Sequence, residues 1–277
     1  MRSDRIRAST RARTITLCSR ALRLGAAVLG AALLGADGTC QLLPGDMVEV
    51  PAGEFTMGSI IGDPDEAPVH SVYLDAFWID RTEVTVDAYA ACVEAGACSR
   101  GNSSSSCNWN RTDRGDHPVN CVTWKQAHDY CAWVGARLPT EAEWEKAARG
   151  TDARTYPWGE ATPTCDLAVM WDAAVGGFGC DQNRTQPVGS RPSGASPYGA
   201  VDLIGNVWEW VNDWYGATYY AEAPAANPTG PENGTYRVLR GGSWFDDDPS
   251  ELRASFRYGT NPAYSLINDG FRCARPG

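Results

Sequence analysis

Apolar and polar residues alternate at Val48-Glu49-Val50, at Val72-Tyr73-Leu74 and at Phe77-Trp78-Ile79. A period of two places successive side chains on opposite faces, so these stretches predict half-buried strands. The period then lengthens. Thr85 can cap a helix whose apolar face runs through Ala88, Tyr89, Cys92 and Val93 to a stop near Gly96. Thr123 with Gln126 forms a capping box ahead of Trp124, Ala127, Cys131 and Val134, and Gly135 can close that helix. Thr140 with Glu143 repeats the device for a short helix that Gly150 ends. Beyond it Gly, Pro, Asn, Asp and Trp become dense and periodicity fades. The pattern predicts an α+β domain with much irregular, tryptophan-pinned structure, and shows no internal repeat or interdomain linker. One late exception is Asp248-Pro249-Ser250-Glu251, where a capping residue, a proline at N1 and an acid at N3 predict a helix start.

The beginning of the chain has a different character. Seven arginines and no lysine fall between Arg2 and Arg23, followed by the apolar run Leu24 to Ala36. A basic stretch ahead of a short apolar one predicts a signal peptide over residues 1–38, cut before Thr39, with residues 39–46 as a short mature segment and 47–277 as the domain. Cys40 raises the alternative of lipid anchoring, against which Asp37-Gly38-Thr39 makes a poor lipidation box. The chain is expected to be exported, whether to a periplasm, a cell surface or the medium. Removing residues 1–38 leaves 17 basic against 32 acidic side chains, a net charge of −15. Such a surface repels nucleic acid and anionic membranes, so neither is expected as a partner beyond the export signal.

Nine cysteines follow the leader: Cys40, Cys92, Cys98, Cys107, Cys121, Cys131, Cys165, Cys180 and Cys273. None has the C-x-x-C spacing of a zinc or redox motif, and in an exported chain this argues for disulfides with one sulfur left over. The three histidines, His70, His117 and His128, share no metal-ligand spacing.

Several blocks exceed what propensity explains. They are Pro51-Ala52-Gly53-Glu54-Phe55-Thr56-Met57-Gly58, Thr82-Glu83-Val84-Thr85, Pro118-Val119-Asn120-Cys121-Val122-Thr123-Trp124 and Arg137-Leu138-Pro139-Thr140-Glu141-Ala142-Glu143-Trp144-Glu145. After them come Tyr156-Pro157-Trp158-Gly159, Gly205-Asn206-Val207-Trp208-Glu209-Trp210, Arg240-Gly241-Gly242-Ser243-Trp244 and Gly270-Phe271-Arg272-Cys273. In this order they resemble the formylglycine-generating enzymes, or sulfatase-modifying factors, from about Met47 onward. The resemblance implies a heavily elaborated variant of the C-type lectin fold.

The enzymes of that family use copper(I), held by two cysteines, and oxygen to convert a sulfatase cysteine into formylglycine. Their pair follows the Gly-Gly-Ser block. Here that segment reads Trp244-Phe245-Asp246-Asp247-Asp248-Pro249-Ser250-Glu251-Leu252-Arg253-Ala254, with no sulfur between Cys180 and Cys273. Carboxylates are hard ligands and do not replace thiolates toward copper(I), so copper is not expected. The resemblance also implies calcium held by Asp202, Gly205, Val207 and Glu209, two side chains and two main-chain carbonyls; a solvated acid on a tryptophan-rich loop is the plainer alternative. A second family calcium site falls at Val169-Met170-Trp171, where a side-chain oxygen is missing.

Cys131–Cys273 is a disulfide that the resemblance implies, whereas the family's second bridge would join the positions of Ala148 and Ala254. Cys165–Cys180 is a further expected bridge, and among the remaining four the pairing leans to Cys92–Cys121 and Cys98–Cys107. Ser243 and Asn268 match pocket-lining residues of the family, and Asp246 and Asp247 can face the same pocket; each could instead hold a buried turn. Two functions follow. One is a calcium-stabilised protein that binds an unidentified protein, peptide or small-molecule ligand without oxidising it. The other is a formylglycine-generating oxidase or another oxidative protein-modifying enzyme of the family.

Overall fold

The computed structural model describes residues 32–34, 40–42 and 46–277. The expected leader therefore lies largely outside the described residues, as does the side chain of Cys40. Strands β1 (Ala32–Leu34) and β2 (Cys40–Leu42) pair antiparallel within a unit of residues 1–46. The rest describes the second unit, residues 47–277.

The alternating stretches are strands. Strand β3 (Met47–Val50) runs antiparallel to β6 (Phe77–Asp80), pairing Val48 with Ile79. β11 (Ala274–Pro276) occupies the other side of β6, so that residues far apart in sequence flank the same strand. Between β3 and β6 the chain forms the antiparallel pair β4 (Gly53–Met57) and β5 (His70–Leu74). A four-stranded sheet has the order β10 (Asp269–Gly270), β7 (Trp208–Trp214), β8 (Arg237–Arg240), β9 (Tyr258–Thr260), with β10 and β7 parallel.

The three longest helices among the described residues start on the threonines that the sequence marks. In α1 (Val86–Glu94) Thr85 accepts from the Ala88 N–H. In α2 (Trp124–Trp133) and α3 (Glu141–Arg149) the boxes Thr123/Gln126 and Thr140/Glu143 are both closed. Helix α3 is buried along its whole length, which requires every polar group on it to find a partner. Lys146 Nζ donates to the carbonyls of Pro51 and Gly53 at 2.8 Å. Glu145 accepts from Arg240 Nη2 at 2.6 Å and from Arg149 Nη1 at 2.7 Å. Glu141 accepts from Arg257 through both oxygens, at 2.6 and 2.8 Å. This ionic layer fastens α3 to the strand that leads into the Gly-Gly-Ser turn.

Cys131 and Cys273 are bonded, as are Cys165 and Cys180. The other pairs are Cys92–Cys98 and Cys107–Cys121, not the expected Cys92–Cys121 and Cys98–Cys107. The reason is local: the end of α1 turns at Gly96, and the Ala97 and Cys98 N–H groups both donate to the Cys92 carbonyl, folding Cys98 back onto Cys92. Ala148 and Ala254 are both fully buried in one apolar cluster, so small side chains fill the place of the absent bridge.

The expected helix from Asp248 is absent. Asp248 Oδ1 does accept from the Ser250 N–H at 2.8 Å, but Glu251, Leu252 and Arg253 donate to carbonyls three residues back and the segment stays a series of turns. It ends where Arg253 reaches across to Glu66 at 2.6 Å and the Ala254 N–H bonds to Thr155.

Candidate functional site

Strand β8 delivers Arg240 into the ionic layer and then turns sharply through Gly241 (φ +95°) and Gly242 (φ +70°). A Cβ on Gly241 would lie 2.5 Å from the Leu203 carbonyl oxygen, and one on Gly242 2.6 Å from the Leu252 side chain, so only glycine fits. The turn carries Ser243, whose side chain is completely buried. Ser243 Oγ donates to Asp246 Oδ2 at 2.8 Å, and Asn268 Nδ2 reaches Ser243 Oγ at 3.5 Å. Three of the expected pocket residues therefore meet. Asp247 does not join them: it is exposed and lines a neighbouring cavity of about 120 Å³ with Asp246, Asp172 and Trp171.

The structure adds three residues that sequence reasoning passed over. Trp208 and Glu251 both bear on the Asp246 carboxyl. Asp269, 1% exposed, lies within electrostatic reach of Asp246, and its Oδ2 has no hydrogen-bond partner. Burial raises the Asp246 carboxyl against the opposing Ser243 hydrogen bonds. Burial first, then the charges of Asp246 and Asp248, push Glu251 up to about 7. Asp269 also rises to about 7, chiefly through burial and further through Asp246. Glu251 had been absorbed into the expected helix start, and Asp269 shows no sequence signal beyond its place beside Asn268.

A second cluster lies around Gly205, which turns at φ +79° with its α-carbon against the Val169 carbonyl. The Glu209 carboxylate is fully buried; Oε2 accepts from Trp144 Nε1 at 2.8 Å and from Arg272 Nε at 2.7 Å, and Oε1 accepts from Arg272 Nη2 at 2.7 Å. Asp202 accepts from the Gly189 N–H and lies beside Glu83. Glu83 Oε1 takes the Asn206 amide at 2.9 Å, whereas Oε2 has no donor. Burial, then the Asp202 charge, push Glu83 well above the usual carboxylate range. The charges of Asp202 and Glu209 thus both bear on Glu83. Among the described residues no three Asp, Glu, His or Cys side chains converge tightly enough to hold an ion unaided. A cation here needs the Gly205 and Val207 carbonyls as well.

The histidines are scattered. His117 is buried with Nδ1 2.9 Å from Thr185 Oγ1, His128 stacks on Trp124, and His70 Nδ1 lies 2.9 Å from the Pro68 carbonyl.

Residues 36–276 match the family model described as the sulfatase-modifying factor enzyme 1-like domain. The chain belongs to this family. It is 38% identical over 282 residues to the formylglycine-generating enzyme of Streptomyces coelicolor, covering 82% of this chain and 88% of that relative. It is also 38% identical over 250 residues to the serine/threonine-protein kinase pkn1 of Chlamydia pneumoniae, covering 83% of this chain but only 38% of the kinase. Among solved structures, PvdO from Pseudomonas aeruginosa superposes with a TM-score of 0.71 at 28% identity, over 90% of this chain and 99% of that one. With these neighbours the α+β architecture of residues 47–277, three small sheets and long irregular connections, is the C-type lectin-like fold of the sulfatase-modifying factors. The four disulfides of the described residues suit an oxidising compartment, and no helix among them is long and apolar enough to cross a membrane.

Proposed function

We propose that this chain is an exported, calcium-stabilised, ligand-binding member of the sulfatase-modifying factor family that does not carry out the copper-dependent oxidation. One observation carries the reading: the segment after Gly241-Gly242-Ser243 contains no sulfur, and Cys273, the next cysteine along the chain, is bonded to Cys131. A disulfide sulfur is not a thiolate, and the carboxylates of Asp246 and Asp247 do not hold soft copper(I). The ligand meets Ser243, Asp246 and Asn268, with Asp247 at the rim. A protein, peptide or small molecule is a suitable partner; nucleic acid and anionic membrane surface are not, given the net charge of −15 beyond the leader.

Calcium is placed at Asp202, Gly205, Val207 and Glu209. Two observations fit it. Glu83 Oε2 is a buried acceptor with no donor, beside Asp202. Glu209 Oε1 takes one donor from Arg272 and keeps a lone pair for an ion. Hard oxygen donors of both kinds, side chain and main chain, are what calcium takes. When bound, the ion would neutralise this acidic pocket and tie the loop after Asp202 to β7; it is given no part in chemistry.

The second reading, a formylglycine-generating oxidase or related oxidative enzyme, draws on the 38% identity to the Streptomyces coelicolor enzyme. Incubating the purified chain with copper, oxygen and a cysteine peptide bearing the sulfatase motif separates the two. The proposal expects the peptide cysteine intact by mass spectrometry. Multiple-turnover conversion to an aldehyde, silent without copper, overturns it in favour of the oxidase.

A further inference from the structure

We infer that Asn233 modifies itself in the folded chain: the Gly234 main-chain nitrogen displaces its side-chain amide, and hydrolysis leaves isoaspartate and aspartate there. The inference is independent of the calcium and ligand-binding readings.

The dipeptide sets the chemistry. Asn233 is the only asparagine of the chain that glycine follows. The Gly234 nitrogen attacks Cγ of Asn233, the Cγ–Nδ2 bond breaks, and ammonia leaves behind a five-membered imide. Water then opens the ring. Breaking the bond from nitrogen to Cγ gives aspartate; breaking the bond from nitrogen to the main-chain carbonyl carbon gives isoaspartate. Nothing is oxidised or reduced, since an amide and water become a carboxylic acid and ammonia. A Cβ on the following residue would crowd the attack, whereas glycine has none and reaches the backbone angles the ring requires.

The fold leaves the pair open. Residues 232–236 are all exposed and lie in neither helix nor strand. Among the described residues neither the Asn233 side chain nor the Gly234 N–H makes a hydrogen bond. Packing explains why glycine stands there. A Cβ on Gly234 would lie 2.9 Å from Cβ of Trp214 and 3.2 Å from its ring. Trp214 has little room to yield: the Arg237 guanidinium lies 3.6 Å from the centre of its ring and 3.8 Å from that of Trp124. The close approach that selects glycine thereby creates the reactive pair.

Other asparagines are protected. Asn102, also exposed, precedes serine, and its Oδ1 accepts from the Ser104 N–H at 3.1 Å. Asn206 is buried; its amide donates to Glu83 Oε1 at 2.9 Å, and its Oδ1 accepts from the Gln186 N–H at 3.0 Å.

The test is to incubate the full chain for several weeks at physiological temperature. Its peptides are then mapped by mass spectrometry, with fragmentation that separates isoaspartate from aspartate. The peptide carrying position 233 should gain about one dalton and contain both products. Conversion should run at least about tenfold faster at pH ~8 than at pH ~6, because the attacking nitrogen must first lose its proton. Asn102 should stay largely unconverted over the same period. In Asn233→Gln the ring would have six members, so conversion at that position should all but stop while the contact of Gly234 with Trp214 is kept. An intact Asn233 at the higher pH, aspartate formed without isoaspartate, equal conversion of Asn102, or undiminished conversion in Asn233→Gln each overturns the inference.

Discussion

Arg272 grips Glu209 with a parallel pair of hydrogen bonds, Nε to Oε2 and Nη2 to Oε1, both 2.7 Å, in surroundings where neither side chain meets solvent. The remaining guanidinium donors close on the carbonyls of Asp80, Arg81 and Val201. Removing the negative partner leaves a buried cation without its charge. Glu209→Gln should therefore cost about 3–5 kcal/mol of folding free energy, read from denaturant unfolding curves. A loss below about 1 kcal/mol would show that the pair is not holding β7 against the Arg272 segment.

Calcium is tested more cleanly at Asp202, which has no arginine clamp to lose. Chelation followed by exhaustive dialysis should lower the melting temperature, since an ion bound only to the folded state stabilises by mass action, about 4 kcal/mol at a thousandfold excess over Kd. Asp202→Asn should melt at the same temperature with and without calcium. A wild-type melting curve indifferent to chelation removes the ion from this site.

The Cys131–Cys273 bond closes a sequence separation of 142 residues. Replacing both cysteines by serine should destabilise by about 2–5 kcal/mol, with the larger share arising from a less constrained unfolded chain. Replacing Cys92 and Cys98, six residues apart, should cost less. Equal losses in differential scanning calorimetry would contradict the loop-length argument.

Stability should fall as pH rises from about 5 to about 7, because Asp80 and Asp269 titrate near 7 in the folded chain and near the ordinary carboxylate value when unfolded. Over that window the folded state binds more protons, which makes the slope negative. Below about 4.5 the sign reverses: Glu66 and Glu141 are held low in the folded chain, against the cost of burial, by Arg253 and by Arg257 with Arg240, and protonation removes that support. Melts in calcium-free buffer should peak near pH 5. Asp269→Asn should flatten the fall above the peak and melt higher than wild type at pH 8; an unchanged slope would show that Asp269 is not among the groups responsible.

The helices were legible because their signals are local. A threonine three residues ahead of a Gln or Glu closes its own box, and α2 and α3 begin where those pairs stand. Strand β7 was not, for the opposite reason. Trp208-Glu209-Trp210-Val211-Asn212-Asp213-Trp214 carries acids that read as solvent-facing, yet Glu209 is satisfied by Arg272 and Asp213 by the Glu141 N–H, and both are buried. Long-range pairing overrode the polar pattern. The site divides in the same way. Ser243, Asp246 and Asn268 could be placed from ordered motifs, whereas Glu251 reads in the sequence as the acid of a helix start and Asp269 stands out only once β10 is buried beside β7.

Strand β6 cannot complete its pairing until β11 exists, and the two are separated by nearly the whole second unit. During synthesis the early strands therefore wait, with β6 paired on one side only and the other edge open. Any stop ahead of residue 272 removes together the strand for that edge, the sulfur that pairs with Cys131 and the guanidinium that pairs with Glu209. The last residues of the chain thus close a sheet edge, a disulfide and a buried ion pair at one stroke, so their removal should destabilise the domain by more than the loss of the Cys131–Cys273 bond alone.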